Sequence, residues 1–387
     1  MDKVLVGKKV LILYTAHTMG HARIAENIGY WLGESGAEVA LREVLKSNPS
    51  KLIKRFLSFH IWVNTYVPRV WKFLYMWGFW IFMMPWRLLV ANFQKSEIEK
   101  IVETLKPDII ITTQTSPSAV VSVLKRQKKF AGLWGIAFSD YHFHRAWVYP
   151  RADFYLANIE EQEMELTRLG VSKDNIFRMG LALPPLPNID RDVIRQKLGI
   201  ARTQKVVLVG SGSLGVRMPE ELMKALDELV GRGKSEGLDI TVVVACGRNA
   251  GLCEELVRAR ELKPWLIPIG FYEPMYELYA VSDIFLSKPG GLTIAESIRQ
   301  TLPVFITHYL PGQEELNIEY LEKHKAVVSL YKLEFHKWIE PLLTELKQGL
   351  IRQSIGVYAG LEGIVSPNNI GSLGHFVASS FINDSRN

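Results

Sequence analysis

Short runs of β-branched and aromatic residues alternate with helical patterns along nearly the whole chain. Such alternation predicts βαβ units, in which parallel strands form a sheet and helices cover its faces. In the first half the strand-like runs are VLILYTA (10–16), DIIITTQ (108–114) and LWGIAFSD (133–140). The helical patterns include ARIAENIGYWLGESG (22–36), which ends at Gly33 or Gly36, and SEIEKIVETLKPD (96–108), which Pro107 closes. A parallel α/β sheet is therefore expected in this half.

A proline-rich stretch, GLALPPLPNIDRDV (180–193), interrupts the alternation and is typical of an exposed connection. Beyond it the same pattern resumes in KVVLVGSGSLG (205–215), ITVVVACG (240–247), WLIPIGF (265–271), DIFLSKPGGLTIAES (283–297), LPVFITHYLPG (302–312) and KAVVSLY (325–331). A chain of 387 residues is too long for one ordinary core. We therefore predict two doubly wound α/β domains, 1–183 and 184–387, facing a central cleft where ligands bind. The last helix could also return to the first domain.

Composition restricts the class of protein. A hydrophobic share of 48% with 22% charged residues is typical of a folded globular chain. The two cysteines, Cys246 and Cys253, have no partner at metal-site spacing and are expected to be reduced thiols of a cytosolic protein. The N-terminus enters a strand directly, without the pattern of a signal peptide. We expect the protein on the cytoplasmic side.

Residues 41–95 combine positive charge with tryptophan. Nine Lys or Arg residues stand against Glu43 alone, an excess larger than the net charge of +6 of the whole chain. This mixture suits the headgroup layer of an anionic membrane, and its apolar content is too dense for an open nucleic-acid groove. The residues predicted to contact membrane or lipid acceptor are Trp62, Trp71, Trp77, Trp80, Trp86 and Arg87.

The uncharged run within that segment, Phe73 to Trp86, is shorter than the roughly 20 residues that cross a bilayer. Gly78 and Pro85 also interrupt it. We interpret it as an interfacial or hairpin segment, the alternative being a buried helix of the first domain.

Two glycine-rich turns of the second half follow strands and precede helices. Such turns expose backbone N–H groups and a helix N-terminus to an anion, although each can also be a plain turn. The first turn, GSGSLGVRMPE (210–220), does not contain the lysine of a P-loop. Two cradles fit a diphosphate better than a monophosphate. The candidate residues are Gly212 and Ser213 in the first turn, and Pro289, Gly290, Gly291, Thr293 and Glu296 in and after the second, Glu296 within reach of a ribose.

Further polar and aromatic residues lie near the predicted strand ends. Gln313, Glu314 and Asn317 are suited to sugar hydroxyls. Phe271 and Tyr272 could stack against a base, and Arg248 could add positive charge near a diphosphate.

The first half offers a candidate base and a candidate carboxylate. His21 follows Gly20 in the first turn of a predicted helix, whose N-terminus opposes the charged imidazole and favours the neutral form that can accept a proton. Asp140 ends a strand and precedes His142 and His144. Those histidines are two positions apart, without a third spaced ligand, so a carboxylate that orients or charges a base is a better interpretation than a zinc site.

Taken together, SKPGGLTIAES and HYLPGQEELN resemble glycosyltransferases of the monogalactosyldiacylglycerol synthase and processive diacylglycerol glucosyltransferase type. The resemblance continues through TAHTMGHARIAENI, KPDIIITTQ and FSDYHFHRAWVYPRADFYLA. It implies a GT28-like, GT-B enzyme with two Rossmann-like domains that inverts the anomeric centre and uses neither metal nor cofactor. UDP-glucose or UDP-galactose is the implied donor, and diacylglycerol or another lipid is the implied acceptor, at the cytoplasmic face of the membrane.

The resemblance also implies roles for the residues that match. His21 would be the general base, assisted by Asp140 in a motif that usually reads Thr-Asp and is here Ser139-Asp140. The loop before His21, Thr18-Met19-Gly20, and the first cradle are poorer in glycine than is usual in the family.

Two alternatives remain open from the sequence. The first is a non-catalytic lipid- or nucleotide-binding protein, against which the joint presence of His21, Asp140, Glu296 and the Gln-Glu pair argues. The second is a UDP-sugar 2-epimerase, which has no need of the basic aromatic segment. The sequence does not choose between glucose and galactose.

Overall fold

A computed structural model describes residues 2–15, 19–44, 67–73, 84–210, 220–310, 312–357 and 371–384. The chain divides into two compact units. Unit 1 comprises Met1–Pro185, Leu310–Asn317 and Gly363–Asn387, and unit 2 comprises Leu186–Tyr309 and Ile318–Glu362.

Unit 1 is built on a sheet of six parallel strands in the order β2-β1-β3-β4-β5-β6. The strands are β1 (Lys9–Tyr14), β2 (Glu38–Glu43), β3 (Ile109–Thr112), β4 (Leu133–Ala137), β5 (Phe154–Ala157) and β6 (Ile176–Arg178). The helices of the N-terminal part are α1 (Met19–Glu34), α2 (Pro68–Phe73), α3 (Met84–Leu105), α4 (Thr115–Arg126) and α5 (Glu160–Arg168).

The central strands of unit 1 are buried throughout and mostly apolar because helices cover both faces of the sheet. All residues of β3, β4 and β5 are buried. The edge strand β2 is different, since its residues are half-buried or exposed and include Glu38, Arg42 and Glu43. Sequence patterns predicted the central strands and missed β2 and the three-residue β6, because neither forms a long apolar run.

Unit 2 contains a second sheet of six parallel strands, in the order β12-β11-β10-β7-β8-β9. The strands are β7 (Lys205–Gly210), β8 (Ile240–Ala245), β9 (Leu266–Ile269), β10 (Ile284–Ser287), β11 (Val304–Ile306) and β12 (Val327–Ser329). The helices that follow unit 1 along the chain are α6 (Arg191–Leu198), α7 (Glu220–Ser235), α8 (Ala250–Ala259), α9 (Met275–Val281), α10 (Gly291–Arg299), α11 (Gln313–Lys323), α12 (Ile339–Gln348) and α13 (Leu350–Val357). The six apolar runs predicted for this half all form strands.

The last helix, α14 (Leu373–Asp384), belongs to unit 1 and packs on α1. Phe376 stacks on Phe177, with ring centroids 4.9 Å apart, and meets Phe154 edge to face at 5.7 Å. A Cβ atom at Gly374 would overlap the side chain of Ser35, whose Oγ donates to the Trp31 carbonyl. The close approach of these two helices therefore depends on the absence of a side chain at Gly374.

The basic aromatic segment is described only in part. Trp62, Trp77 and Trp80 lie outside the described residues, and for Trp71, Trp86 and Arg87 the structure gives helical backbone alone. Within the ranges that are described, no helix has both the length and the apolar character needed to cross a bilayer.

We expect Gly374→Ala to destabilise unit 1 by about 1–3 kcal/mol, because the new methyl group forces α14 away from α1. Gly33→Ala is the matched control, since Gly33 lies in α1 and a Cβ there meets nothing within 4 Å. The control should gain about 0.5–1 kcal/mol through helix propensity. Chemical denaturation measures both changes, and equal stabilities of the two variants would contradict the packing described.

Candidate active site

The order of strands in unit 1 reverses between β1 and β3. The chain runs from β1 to β2 on one side and from β3 towards β6 on the other. Loops that leave neighbouring strands in opposite directions open a crevice at the carboxyl ends, where ligands of such sheets bind. His21 follows β1, in the first turn of α1, and Thr113 follows β3. The hydroxyl of Thr113 donates to the carbonyl oxygen of His21 at 3.3 Å, so both residues lie at this point.

The imidazole of His21 is buried, with 9% of the residue exposed. Its ring stacks against Trp147, with centroids 6.3 Å apart and planes inclined by 28°. Its Nδ1 atom has no hydrogen-bond partner among the described residues. Burial lowers the pKa of His21, while the negative charge of Asp140 and a hydrogen bond with the Thr113 backbone partly oppose that shift. The ring is therefore neutral at neutral pH and can accept a proton.

Asp140 lies three residues beyond β4 and is held by several hydrogen bonds. Its Oδ1 accepts from Nδ2 of Asn317 at 2.9 Å, and its Oδ2 accepts from the hydroxyl of Ser139 at 3.2 Å. Its carbonyl oxygen accepts from the side-chain amides of Asn158 and Gln162, both at 2.8 Å. The carboxylate that acts on His21 is thus fixed through both its backbone and its side chain.

Asn158 and Gln162 were not among the residues predicted from sequence. Both are buried, and Oε1 of Gln162 accepts from the Asn158 backbone N–H at 2.7 Å. They follow β5 in ANIEEQ, four positions apart. Two polar amides directly after an apolar strand were the signal that could have identified them.

The three residues predicted to contact a sugar differ in their surroundings. Asn317 is fully buried, and its Oδ1 accepts from the Tyr141 backbone N–H at 3.1 Å. Glu314 is also buried, and its carboxylate accepts from the Leu310 backbone N–H at 2.7 Å. The side chain of Gln313 is outside the described part of the structure. Asn317 and Glu314 thus both form hydrogen bonds with the chain itself.

The two histidines after Asp140 have separate partners. Nδ1 of His142 lies 3.2 Å from Oδ1 of Asn317. Nδ1 of His144 accepts from the Ala146 backbone N–H at 3.2 Å, and burial lowers the pKa of His144. Across the ranges that the structure describes, no cluster of three His, Cys, Asp or Glu side chains could hold a metal ion.

The strand order of unit 2 reverses between β7 and β10, which places a second such point at the carboxyl ends of these strands. Val209 pairs with Leu286, so Gly210 and Ser287 end the two strands side by side. The turn after β10 enters the nine-residue helix α10, for which Gly290 is the N-cap. The turn after β7, with the predicted residues Gly212 and Ser213, lies outside the described residues.

The N-terminus of α10 has the properties of an anion site. Gly290 has extended backbone angles, with φ −69° and ψ 125°, and no side chain to accept from the N–H groups of the first turn. A Cβ atom built on Gly290 would come no closer than 3.8 Å to another residue, the neighbour being Oγ1 of Thr293. The N–H groups and the helix dipole at this end favour a negatively charged ligand.

Glu296 lies three residues after Thr293, so their side chains occupy the same face of α10. Both side chains are half-buried. The hydroxyl of Tyr279 donates to Oε2 of Glu296 at 3.4 Å, which restrains the carboxylate. Pro289 is buried in the turn before the helix.

Phe271 and Tyr272, which follow β9, differ in their surroundings. Phe271 is 46% exposed, and the guanidinium of Arg248 lies 5.0 Å above its ring. The hydroxyl of Tyr272 donates to Glu277 at 2.5 Å, and burial together with Glu277 raises the pKa of Tyr272 to about 12. Phe271 therefore presents the more accessible ring, beside a cation.

Comparison with known proteins bears on the reaction class. Residues 31–183 match the protein family described as Monogalactosyldiacylglycerol (MGDG) synthase. A "Processive diacylglycerol beta-glucosyltransferase" from Bacillus thuringiensis (strain Al Hakam) is 26% identical over 325 residues, covering 83% of this chain and 81% of the relative. The chain is thus similar to diacylglycerol glycosyltransferases over most of its length. This similarity supports a glycosyltransferase activity.

Solved structures agree with this family on the fold. MurG from Acinetobacter baumannii is 14% identical, with a TM-score of 0.59, covering 96% of this chain and 99% of that one. The UDP-GlcNAc 2-epimerase from Neisseria meningitidis, solved with UDP-GlcNAc, is 14% identical, with a TM-score of 0.58 and coverage of 97% and 100%. This likeness, together with two parallel sheets flanked by helices, confirms the predicted GT-B class of fold.

We expect the His21 ring to titrate below the ordinary histidine pKa of 6.5, since burial outweighs the attraction of Asp140. Among the described residues, Asp140 is the charged side chain that raises the pKa of His21, and Asp140→Asn removes its charge. The pKa of His21 should therefore fall further in that variant. NMR titration of the His21 ring resonances in the wild type and in Asp140→Asn measures both values. A His21 pKa that rises in Asp140→Asn would contradict the arrangement.

Proposed function

We propose that the protein transfers glucose or galactose from a UDP-sugar to a hydroxyl group of a membrane lipid, diacylglycerol, with inversion at the anomeric carbon. The relative from Bacillus thuringiensis, named for β-glucosyl transfer to diacylglycerol, supports this acceptor and sugar class. The observation that carries the proposal is the neutral, buried His21 at the β1/β3 reversal, with the carboxylate of Asp140 acting on its ring. That pair supplies a proton acceptor to an enzyme whose reaction requires one.

The proton moves from the acceptor hydroxyl to the imidazole as the oxygen attacks the anomeric carbon. In this step a carbon–oxygen bond forms to the acceptor, and the bond between the anomeric carbon and the diphosphate breaks on the opposite face. We propose that the imidazole of His21 takes this proton. The resulting imidazolium is stabilised by the negative charge of Asp140.

The leaving UDP carries growing negative charge. We propose that the first turn of α10 stabilises this charge. The N-cap, Gly290, has no side chain to accept from the backbone N–H groups, so these groups and the helix dipole are available to the diphosphate. Thr293 and Glu296 would hold the phosphate and the ribose, and Phe271 with Arg248 the base and the adjoining charge. In this mechanism neither a metal ion nor a cofactor is needed.

Peripheral binding to the cytoplasmic face of an anionic membrane is the third part of the proposal. In α2, Val70 and Phe73 are 50% and 61% exposed, and the exposed Lys72 beside them is paired with Glu315 at 3.0 Å. Exposed apolar side chains next to basic residues suit the lipid headgroup layer. The excess of positive charge in residues 41–95 also favours binding to an anionic membrane.

Sugar transfer to diacylglycerol vesicles tests the proposed reaction. We expect the wild type, assayed in EDTA with radiolabelled UDP-glucose and UDP-galactose, to label the lipid from at least one donor. His21→Ala should lower kcat by about 10²- to 10⁴-fold while UDP still binds, because it removes only the base.

Two results would contradict the proposal. Wild-type protein that binds UDP but transfers neither sugar would indicate a binding protein, and conversion of a UDP-sugar without lipid labelling would indicate an epimerase. A requirement for added Mg²⁺ or Mn²⁺ would contradict the proposed stabilisation of the leaving UDP by backbone N–H groups. It would not contradict the proposed sugar transfer.

The site on α10 predicts a second result. Gly290→Ala should fold normally, since φ is negative and the added methyl has space, but that methyl lies where the N–H groups meet the ligand. We expect UDP affinity to fall by about ten-fold or more. Gly231→Ala, in α7 with nothing within 4 Å of its Cβ, is the control and should bind UDP as the wild type does. Calorimetry measures both, and equal affinities would contradict the placement of UDP at α10.

A further inference from the structure

We propose that Asn317 is a positioning residue for the reaction, which fixes the carboxylate of Asp140 and does not contact the donor sugar. This inference rests on the proposed function, because it assigns a role in the same transfer. It departs from the contact with sugar hydroxyls that the sequence predicted for Asn317.

The burial of the Asn317 side chain supports a positioning role. Asn317 has no exposed surface, whereas a residue that reads sugar hydroxyls must present polar atoms to the ligand. Its Nδ2 donates to Asp140 Oδ1 at 2.9 Å, and its Oδ1 accepts from the Tyr141 backbone N–H at 3.1 Å. The amide is thus engaged at both ends by consecutive residues of one segment.

The donor and acceptor of the Asn317 amide also support a positioning role. The position requires a donor towards the Asp140 carboxylate and an acceptor towards the Tyr141 N–H and Nδ1 of His142 at 3.2 Å. An aspartate would keep the acceptor but would repel Asp140, and an apolar residue would supply neither group. Because the Tyr141 N–H can only donate, it also fixes which end of the amide faces the carboxylate. A side chain with donor and acceptor on one planar group meets both requirements.

The consequence for His21 follows from charge. Asp140 is the charged side chain that acts on the His21 ring among the residues that the structure describes. Two further groups that act on or stack against the ring, the Thr113 backbone and Trp147, are uncharged. Asn317, by holding Asp140 in one orientation, sets the field that the proton acceptor experiences. Its effect on catalysis should therefore pass entirely through Asp140.

A double-mutant cycle between the two residues tests this. The assay measures kcat and KM for the UDP-sugar that the wild type uses, with diacylglycerol vesicles as acceptor. We expect Asn317→Ala to lower kcat by about ten- to a hundred-fold in the wild-type background, as a misplaced catalytic group does. In the Asp140→Asn background the same substitution should change kcat little, and KM for the UDP-sugar should stay the same in both.

Asn317→Asp is the second variant, in case Asn317→Ala fails to fold. It keeps the size of the side chain and an acceptor for the Tyr141 N–H, but it replaces the donor to Asp140 with a carboxylate that repels it. We expect it to lower kcat as Asn317→Ala does, because it loses the donor to Asp140. Asn175→Ala, at an exposed asparagine of unit 1, is the matched control and should have wild-type kinetics.

NMR titration of His21 gives a readout that does not depend on turnover. In Asn317→Ala the pKa of His21 should move downward, in the direction of Asp140→Asn. If the wild type shows no transfer, the proposed function fails, and this titration still decides the role of Asn317. An increase in KM for the UDP-sugar by the same factor in both backgrounds, or an unchanged His21 pKa, would overturn the inference.

Discussion

Both units depend on one constraint, the reversal of strand order within an all-parallel sheet. Parallel strands need crossover connections, and helices on both faces of the sheet supply them. Where successive crossovers turn to opposite sides, the loops at the carboxyl ends separate and leave backbone and side chains accessible. In unit 1 this occurs between β1 and β3, and in unit 2 between β7 and β10. His21 and the N-terminus of α10 follow these strands directly.

The site in unit 1 shows a balance between burial and charge. Burial lowers the pKa of His21 and keeps the ring neutral, while Asp140 raises it and prepares the ring for a proton. Burial is the larger of the two effects. A carboxylate held this close to the core needs hydrogen bonds, since an unpaired buried charge is costly. Ser139 and Asn317 supply them to its oxygens, and Asn158 and Gln162 hold its backbone.

Local patterns in the sequence predicted most of the strands and the start of α10. The run Ile109–Thr112 is buried along its whole length and begins with three isoleucines, so its signal lies within a few residues. Gly290 and Gly291, which follow an apolar run, likewise indicated the helix N-terminus that the structure places there. The edge strand Glu38–Glu43, with its mixed polarity, carried no comparable signal.

Partnerships between distant residues could not be predicted in this way. Asp140 and Asn317 are 177 positions apart, and no local pattern shows that the amide of one meets the carboxylate of the other. The motif around Asn317 indicated a polar site, but whether its side chain faces a ligand or the chain depends on packing. The same holds for Gln162, whose partner Asp140 lies beyond an intervening strand.

The central claim is that backbone N–H groups at the start of α10, without a metal ion, neutralise the diphosphate of the departing nucleotide. A crystal structure of the full chain grown with UDP and Mg²⁺ tests it most directly. The account predicts the diphosphate within hydrogen-bond distance of the first turn of α10, with no ion between its oxygens and the protein. A diphosphate bound elsewhere, or one coordinated by Mg²⁺ held by protein carboxylates, would contradict it.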